Sequence, residues 1–172
     1  MSMQVIGRRV TGQNTIDKVT SGRGYPVNVV LQGMLHAKLL RSPYAHARVI
    51  AVDTSKAEQY PGVKAILTAA DVPQRLFHPV FFAPPESEAM VRDMQILSDQ
   101  VRYAGQPVAA VAAETPEIAE HAIGLIEVDY EELTAVFTPE EAVREGAPQL
   151  YEHAVDNIAR HWEIVLGELE AG

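Results

Sequence analysis

Residues 102–116, reading RYAGQPVAAVAAETP, constrain the fold of this chain more than any other stretch. Gly105 can adopt backbone conformations closed to other residues, while Pro107 fixes its own φ and has no N–H to donate. Residues 108–113 are an unbroken apolar run. The run is too short for an independent helix and is bounded by turn signals, so it reads as a strand covered on both faces. Thr115 supplies an N-cap oxygen, and Pro116 stands at the first helical position, where its missing N–H costs nothing. Beyond it, Ile118, Ala119, Ala122, Ile123, Leu125 and Ile126 share one face at the helical period, with Glu117, Glu120, His121, Gly124 and Glu127 opposite. Residues 127–130 turn back toward strand. None of these side chains can do chemistry unaided.

The remaining chain supplies more strands and turns. Residues 1–28 are polar and glycine-rich and read as an extended arm. Residues 34–40 predict a strand, with Leu35, Ala37 and Leu39 alternating against His36 and Lys38. Arg41-Ser42-Pro43-Tyr44 is a turn, and residues 47–53 are a second strand. Asp53 or Thr54 caps a short helix ending near Tyr60, and Pro61-Gly62 stops it. Residues 63–68 are a third strand, so strand, helix and strand form a small α/β unit. Residues 72–100 are irregular and carry Pro73, Pro79, Pro84 and Pro85; a loop that long in a compact domain is usually functional or disordered. Phe77, Phe81 and Phe82 argue against simple disorder, and half-exposed they would mark a contact site. Thr138-Pro139-Glu140-Glu141 reads as a capping box opening a helix to about Glu145. Residues 161–166 read as a last strand, with Trp162, Ile164 and Leu166 on one side. The expected divisions are an arm over 1–28, a core over 29–137, and a helix, connector and strand start over 138–172.

Composition narrows the classes of function. A chain of 172 residues fits one domain, and 47% hydrophobic content is enough for a core. The net charge of −9 disfavours nucleic acid and anionic membrane as partners. With no cysteine, the chain offers no disulfide and no thiolate ligand for zinc or iron–sulfur centres. No apolar run approaches the ~20 residues of a membrane span. Arg8-Arg9, with no apolar run after it, is weak support for twin-arginine export, so a cytoplasmic location is the expectation.

Each candidate for chemistry has a structural alternative that weighs more. Gly22-Arg23-Gly24 lacks the third glycine, the preceding strand and the following helix of a phosphate loop. Asp129, Glu131 and Glu132 could do acid–base work but read as a solvated strand end. His36 and His46 flank a turn, and His121 sits on a helix face beside Glu117 and Glu120; none has metal-site spacing. No serine sits between glycines as in a nucleophile elbow. Gln106 is the one polar side chain beside the buried strand, and it reads as satisfying backbone groups in the turn. The reading from the residues is that catalytic, cofactor-binding and metal-ligating residues number none.

Several motifs, taken in order, resemble one family. These are Asp17-Lys18-Val19-Thr20 with Gly24-Tyr25; Gly33-Met34-Leu35-His36-Ala37; 40–49, LRSPYAHARV; Pro61-Gly62-Val63 with 67–71, LTAAD; 101–109, VRYAGQPVA; and 128–133, VDYEEL. The ordered set resembles the N-terminal α/β-hammerhead domain of the molybdenum-binding large subunit in the xanthine dehydrogenase and aldehyde oxidase family, over about residues 5 to 166. Asn157-Ile158-Ala159-Arg160 is most similar to carbon monoxide dehydrogenase and 4-hydroxybenzoyl-CoA reductase large subunits. Asn28 and Ser21 depart from the family's usual aspartate and glycine.

The resemblance implies an α+β fold of hammerhead type: a mixed sheet with two or three packed helices. It also implies a structural and assembly role in a molybdenum-dependent oxidoreductase, with the isolated chain inactive. Molybdopterin would belong to the full subunit, and iron–sulfur clusters, with FAD as a further candidate, to partner subunits. The family's cofactor loops and catalytic glutamate lie downstream of this domain, so no site residue carries over. The expected partners are the downstream molybdenum-binding domains and the iron–sulfur subunit, and the chain is expected to be a fragment or one piece of a split subunit. Its last strand would then leave either an unpaired edge through which the isolated domain self-associates weakly or a tail that is disordered and harmless in dilute solution. The alternative is a stand-alone acidic binding module, using the loop from Phe77 to Phe82 for a small hydrophobic ligand or a protein partner.

Overall fold

The computed structural model describes residues 7, 15–20, 29–78, 92–161 and 167. By internal packing the chain divides into residues 1–34 and 35–172. In the first unit the described residues of the segment expected to be extended include a short helix, α1, Thr15–Val19. The Thr20 hydroxyl donates to the Ile16 carbonyl at its end, 2.8 Å away.

The second unit runs β1 (His36–Arg41), β2 (Ala47–Asp53), α2 (Ser55–Glu58), β3 (Val63–Leu67), β4 (Gln100–Val101), β5 (Pro107–Ala113), α3 (Pro116–Ile123), β6 (Glu127–Glu132) and α4 (Pro139–Ala142). The α+β class expected from sequence is the one observed. The single mixed sheet is not: the strands form two three-stranded sheets, ordered β1-β5-β3 and β4-β2-β6. Every pairing in them is antiparallel.

β5 is the central strand of its sheet, and its composition explains why. Ala109, Val111 and Ala113 are fully buried on one face. That face meets α3, whose Ala119 and Ala122 are also fully buried. Small side chains on both elements let helix and sheet approach closely, so the contact is dense. The helix starts where the sequence says it should: the Thr115 hydroxyl accepts from the Ile118 amide at 3.3 Å, with Pro116 in the first turn. It ends earlier than the periodicity suggested. Leu125 and Ile126 lie past α3 in a turn, yet both still reach the core, Ile126 being 7% exposed. Strand β6 begins immediately after.

The turn before β5 is built as its residues demand. Gly105 has φ +89°, and its amide donates to the Ser42 carbonyl at 2.8 Å. The Ser42 amide returns a bond to the Gln106 carbonyl at 3.0 Å. A second cluster of Ala47, Val101 and Val108 joins the two sheets at one end, with Tyr44, Val49, Val52, Val128 and Tyr130 around it.

Local details refine the sequence reading. Asp53, not Thr54, accepts from the Ser55 amide (2.9 Å) at the start of α2, and the Thr54 hydroxyl donates to Glu58 instead. Helix α4 stops at Ala142; Thr138 caps it, but the Glu141 carboxylate accepts from Phe137, one residue outside the box. A complete capping box occurs at Thr68 and Asp71 around the 3₁₀ turn Ala69–Asp71. The strand expected over 161–166 lies outside the described residues apart from His161, which has no regular structure.

Candidate functional site

Strand parity decides which surface this domain offers. In the register of the first sheet, Leu39 faces Ala110, which faces Leu67; Ala37 faces Ala112, which faces Ala65. Residues directly opposite one another project on the same side. These six therefore share the face opposite α3. The helix face takes the alternate set: Lys38 pairs with Glu120 of α3, and Leu40, Ile66 and Val63 pack on the buried cluster. The alternation read in β1 is thus present, with His36 and Lys38 toward the helix and Leu39 away from it. Leu39 and Leu67 are each 43% exposed, and Ala37 and Ala65 are exposed as well. β5 is covered fully on one face, and on the other only at Val108, where the second sheet packs. A solvent-facing side of an antiparallel sheet normally carries polar residues; this one carries six apolar ones.

A second feature holds the connector after β6. The Arg102 Nε donates to the Leu150 carbonyl at 2.6 Å, its guanidinium also reaches the Gln100 side chain at 2.8 Å, and it lies over the Tyr151 ring at 4.5 Å. Burial raises the Tyr151 hydroxyl pKa, and the nearby Asp93 carboxyl adds to the effect. Asn157 completes the latch. Its Oδ1 accepts from the Leu150 amide at 2.8 Å, and its Nδ2 donates to the Ala142 and Pro148 carbonyls at 2.9 Å each. Asp156 and Asn157 both adopt left-handed backbone, with φ 54° and 57°. Asn and Asp tolerate this conformation better than other side-chain-bearing residues. The adjacent Asp-Asn pair is the sequence signal for this turn, one that the expectations drawn from motifs and periodicity missed.

The residues singled out for chemistry are scattered. Gln106 is 5% exposed, and its Oε1 accepts from the Arg102 amide at 2.7 Å, the backbone role expected of it. Asp129, Glu131 and Glu132 are exposed on β6, where Glu131 accepts from Arg48 at 2.5 Å. His121 stacks on Tyr60, centroids 4.6 Å apart, at the edge of a shallow depression that Glu117 and Glu120 also line. His46 is buried; its Nδ1 donates to the Thr134 carbonyl at 2.6 Å, and its Nε2 has no partner among the described residues. His36 lies in β1, on the helix side. Among the described residues no group of three or more His, Asp or Glu could hold a metal ion. Gly22-Arg23-Gly24, Phe81, Phe82, Trp162, Ile164 and Leu166 lie outside the described residues.

A molybdopterin group does not fit what is described. Its phosphate would need free backbone donors at a helix start or a glycine-lined loop. The first turn of α3 is already served by the Thr115 hydroxyl. The Glu117 carboxyl stands there too, its pKa lowered first by its own backbone amide and then by Thr115. No helix among the described residues is long and apolar enough to cross a membrane.

Comparison with known proteins agrees with this geometry. Residues 21–134 match the family described as aldehyde oxidase and xanthine dehydrogenase, a/b hammerhead domain. The chain is 40% identical over 156 residues to a probable xanthine dehydrogenase subunit of Bacillus subtilis, covering 90% of this chain and 20% of that protein. It is 39% identical over 142 residues to the carbon monoxide dehydrogenase large chain of Afipia carboxidovorans, covering 82% of this chain and 17% of that one. The crystal structure of quinoline 2-oxidoreductase from Pseudomonas putida 86 superposes with a TM-score of 0.67 at 34% identity, covering 82% of this chain and 18% of that one. The chain thus spans about a fifth of the length of these two curated relatives. With the ordered motifs, the two-sheet fold and these matches in agreement, the chain belongs to the aldehyde oxidase and xanthine dehydrogenase a/b hammerhead domain family.

Proposed function

We propose that this chain is a structural and assembly domain of the large subunit of a molybdenum-dependent oxidoreductase of the xanthine dehydrogenase and aldehyde oxidase type. In this reading residues 29–137 form the hammerhead core and 138–172 lead toward the molybdenum-binding domains. The cofactor is held by those domains, electrons leave through an iron–sulfur partner, and this chain alone catalyses nothing. The observation that carries the reading is the open sheet face of Ala37, Leu39, Ala65, Leu67, Ala110 and Ala112. A contiguous exposed apolar face marks a contact surface. Flat, alanine-rich strands admit a neighbouring backbone closely. The Arg102 and Asn157 latch supports the same reading, since it fixes the direction in which the connector leaves the core.

The test compares one substitution in two contexts. Leu39→Asp with Leu67→Asp should leave the folding of the isolated chain within about 0.5 kcal/mol, as surface changes do. In a longer subunit that includes the molybdenum-binding domains, the same pair should lower assembly and molybdenum content. Unimpaired assembly there would defeat the docking role. Stoichiometric molybdenum and pterin on the isolated chain, purified from cells that make the cofactor, would defeat the non-catalytic reading.

A further inference from the structure

The irregular stretch between β3 and β4 contains one piece of regular pairing. Phe77 and Met94 form an antiparallel bridge, with backbone bonds of 2.9 and 3.0 Å in the two directions. Pro73, Arg75 and Phe77 on one side of this bridge and Arg92 and Ile96 on the other lie close to it in sequence. Together with Leu76 and His78 they line a pocket of about 420 Å³. That volume lies within the range of small-ligand sites, roughly 300–1,000 Å³.

Gln74, Gln95 and Asp93, between the lining residues, make contacts of their own. Gln95 donates to Gln74 at 2.8 Å and accepts from the buried Ser98 at 2.8 Å, which pins the base of the bridge to the core. Asp93 acts on Tyr151, on the side where Arg102 also reaches Gln95. Among the described residues the pocket is lined by two arginines and no acid. In a chain of net charge −9, this is a local reversal of sign. Neither Arg75 nor Arg92 has an ion pair or hydrogen bond among the described residues. His78 adds a ring whose Nδ1 is buried with no partner there. The rest of the lining is apolar: Phe77 is 41% exposed and Ile96 53%.

We propose that this pocket binds a small aromatic carboxylate, with Arg75 and Arg92 gripping the carboxylate and Phe77, Leu76 and Ile96 packing on the ring. A guanidinium is a planar fork that matches a carboxylate in two parallel hydrogen bonds. It also stacks on aromatic faces, which an ammonium does less well. The proposal is independent of the assembly role, because the pocket uses none of the open-face residues.

The experiment titrates sodium benzoate into the 172-residue chain and follows Arg side-chain and Phe77 signals by NMR. Benzoate should give saturable shifts at Arg75, Arg92 and Phe77. Benzyl alcohol, with the ring and no charge, and sodium acetate, with the charge and no ring, should each bind at least about tenfold more weakly. Arg75→Gln with Arg92→Gln should weaken benzoate by at least about tenfold, while the Val111 and Ala122 signals of the core stay in place. No saturation by benzoate, equal binding of benzyl alcohol or acetate, or undiminished binding by the double variant would each overturn the proposal.

Discussion

Gly62→Ala tests the packing of α3 on its sheet at one atom. Gly62 follows Pro61 at the start of β3, with φ +92°. Its carbonyl accepts from the Glu114 amide at 3.0 Å, which ties the entrance of β3 to the exit of β5. A Cβ built there would sit 2.6 Å from Ile118 Cδ1 and 3.4 Å from Ile118 Cγ2. Two costs follow. Holding an alanine in left-handed backbone costs about 1–2 kcal/mol. Displacing Ile118 adds up to about 1 kcal/mol, since Cδ1 is the mobile end of its side chain and an off-rotamer χ costs of that order. The sum is about 1–3 kcal/mol, read as a shift in the denaturant midpoint at unchanged slope. A double-mutant cycle separates the two parts. Ile118→Val deletes Cδ1 and by itself should cost about 0.5–1.5 kcal/mol. With Cδ1 gone, Gly62→Ala should incur only the backbone part, so the double variant should be more stable than additivity by about 0.5–1 kcal/mol. A single-variant cost below about 0.5 kcal/mol, or additivity within about 0.3 kcal/mol, would refute the close approach of α3 to Gly62.

Two further outcomes test separate features. Arg102→Lys keeps the charge but loses the planar fork over Tyr151 and the bond to Leu150; amide exchange around 150–157 should quicken by about fivefold, the value of one hydrogen bond near 1 kcal/mol, while β5 amides remain unchanged, and equal quickening throughout would deny a local latch. Asp71 titrates below the ordinary aspartate value, because the Thr68 amide and then the Thr68 hydroxyl bond its carboxylate; a lowered folded pKa gives stabilisation that is present above the unfolded pKa and is lost as pH falls through the folded one, so the Thr68–Asp71 turn should loosen only at acid pH, and an NMR titration of Asp71 with an unshifted midpoint would contradict the capping box.

Local and periodic features were legible in the chain before any tertiary contact was known. The run of small apolar residues at 108–113 could only be a buried strand, and Gly105, Thr115 and Pro116 marked its turn and the following cap through backbone preferences that depend on nearest neighbours alone. Ordered motifs carried the family. The number of sheets and their antiparallel pairing were not legible, because partners such as Leu39 with Ala110 and Ala110 with Leu67 lie far apart in the chain. The alternation in β1 showed two faces without saying which one meets α3; where α3 came to pack settled that, and Lys38 with Glu120 reports the outcome. The pocket of Arg75 and Arg92 was hidden for the same reason. The two arginines stand well apart in the chain, and the Phe77 to Met94 bridge brings their segments to one pocket. Local chemistry writes turns, caps and strands into the chain, whereas a surface is a sum over strands that only tertiary pairing brings together.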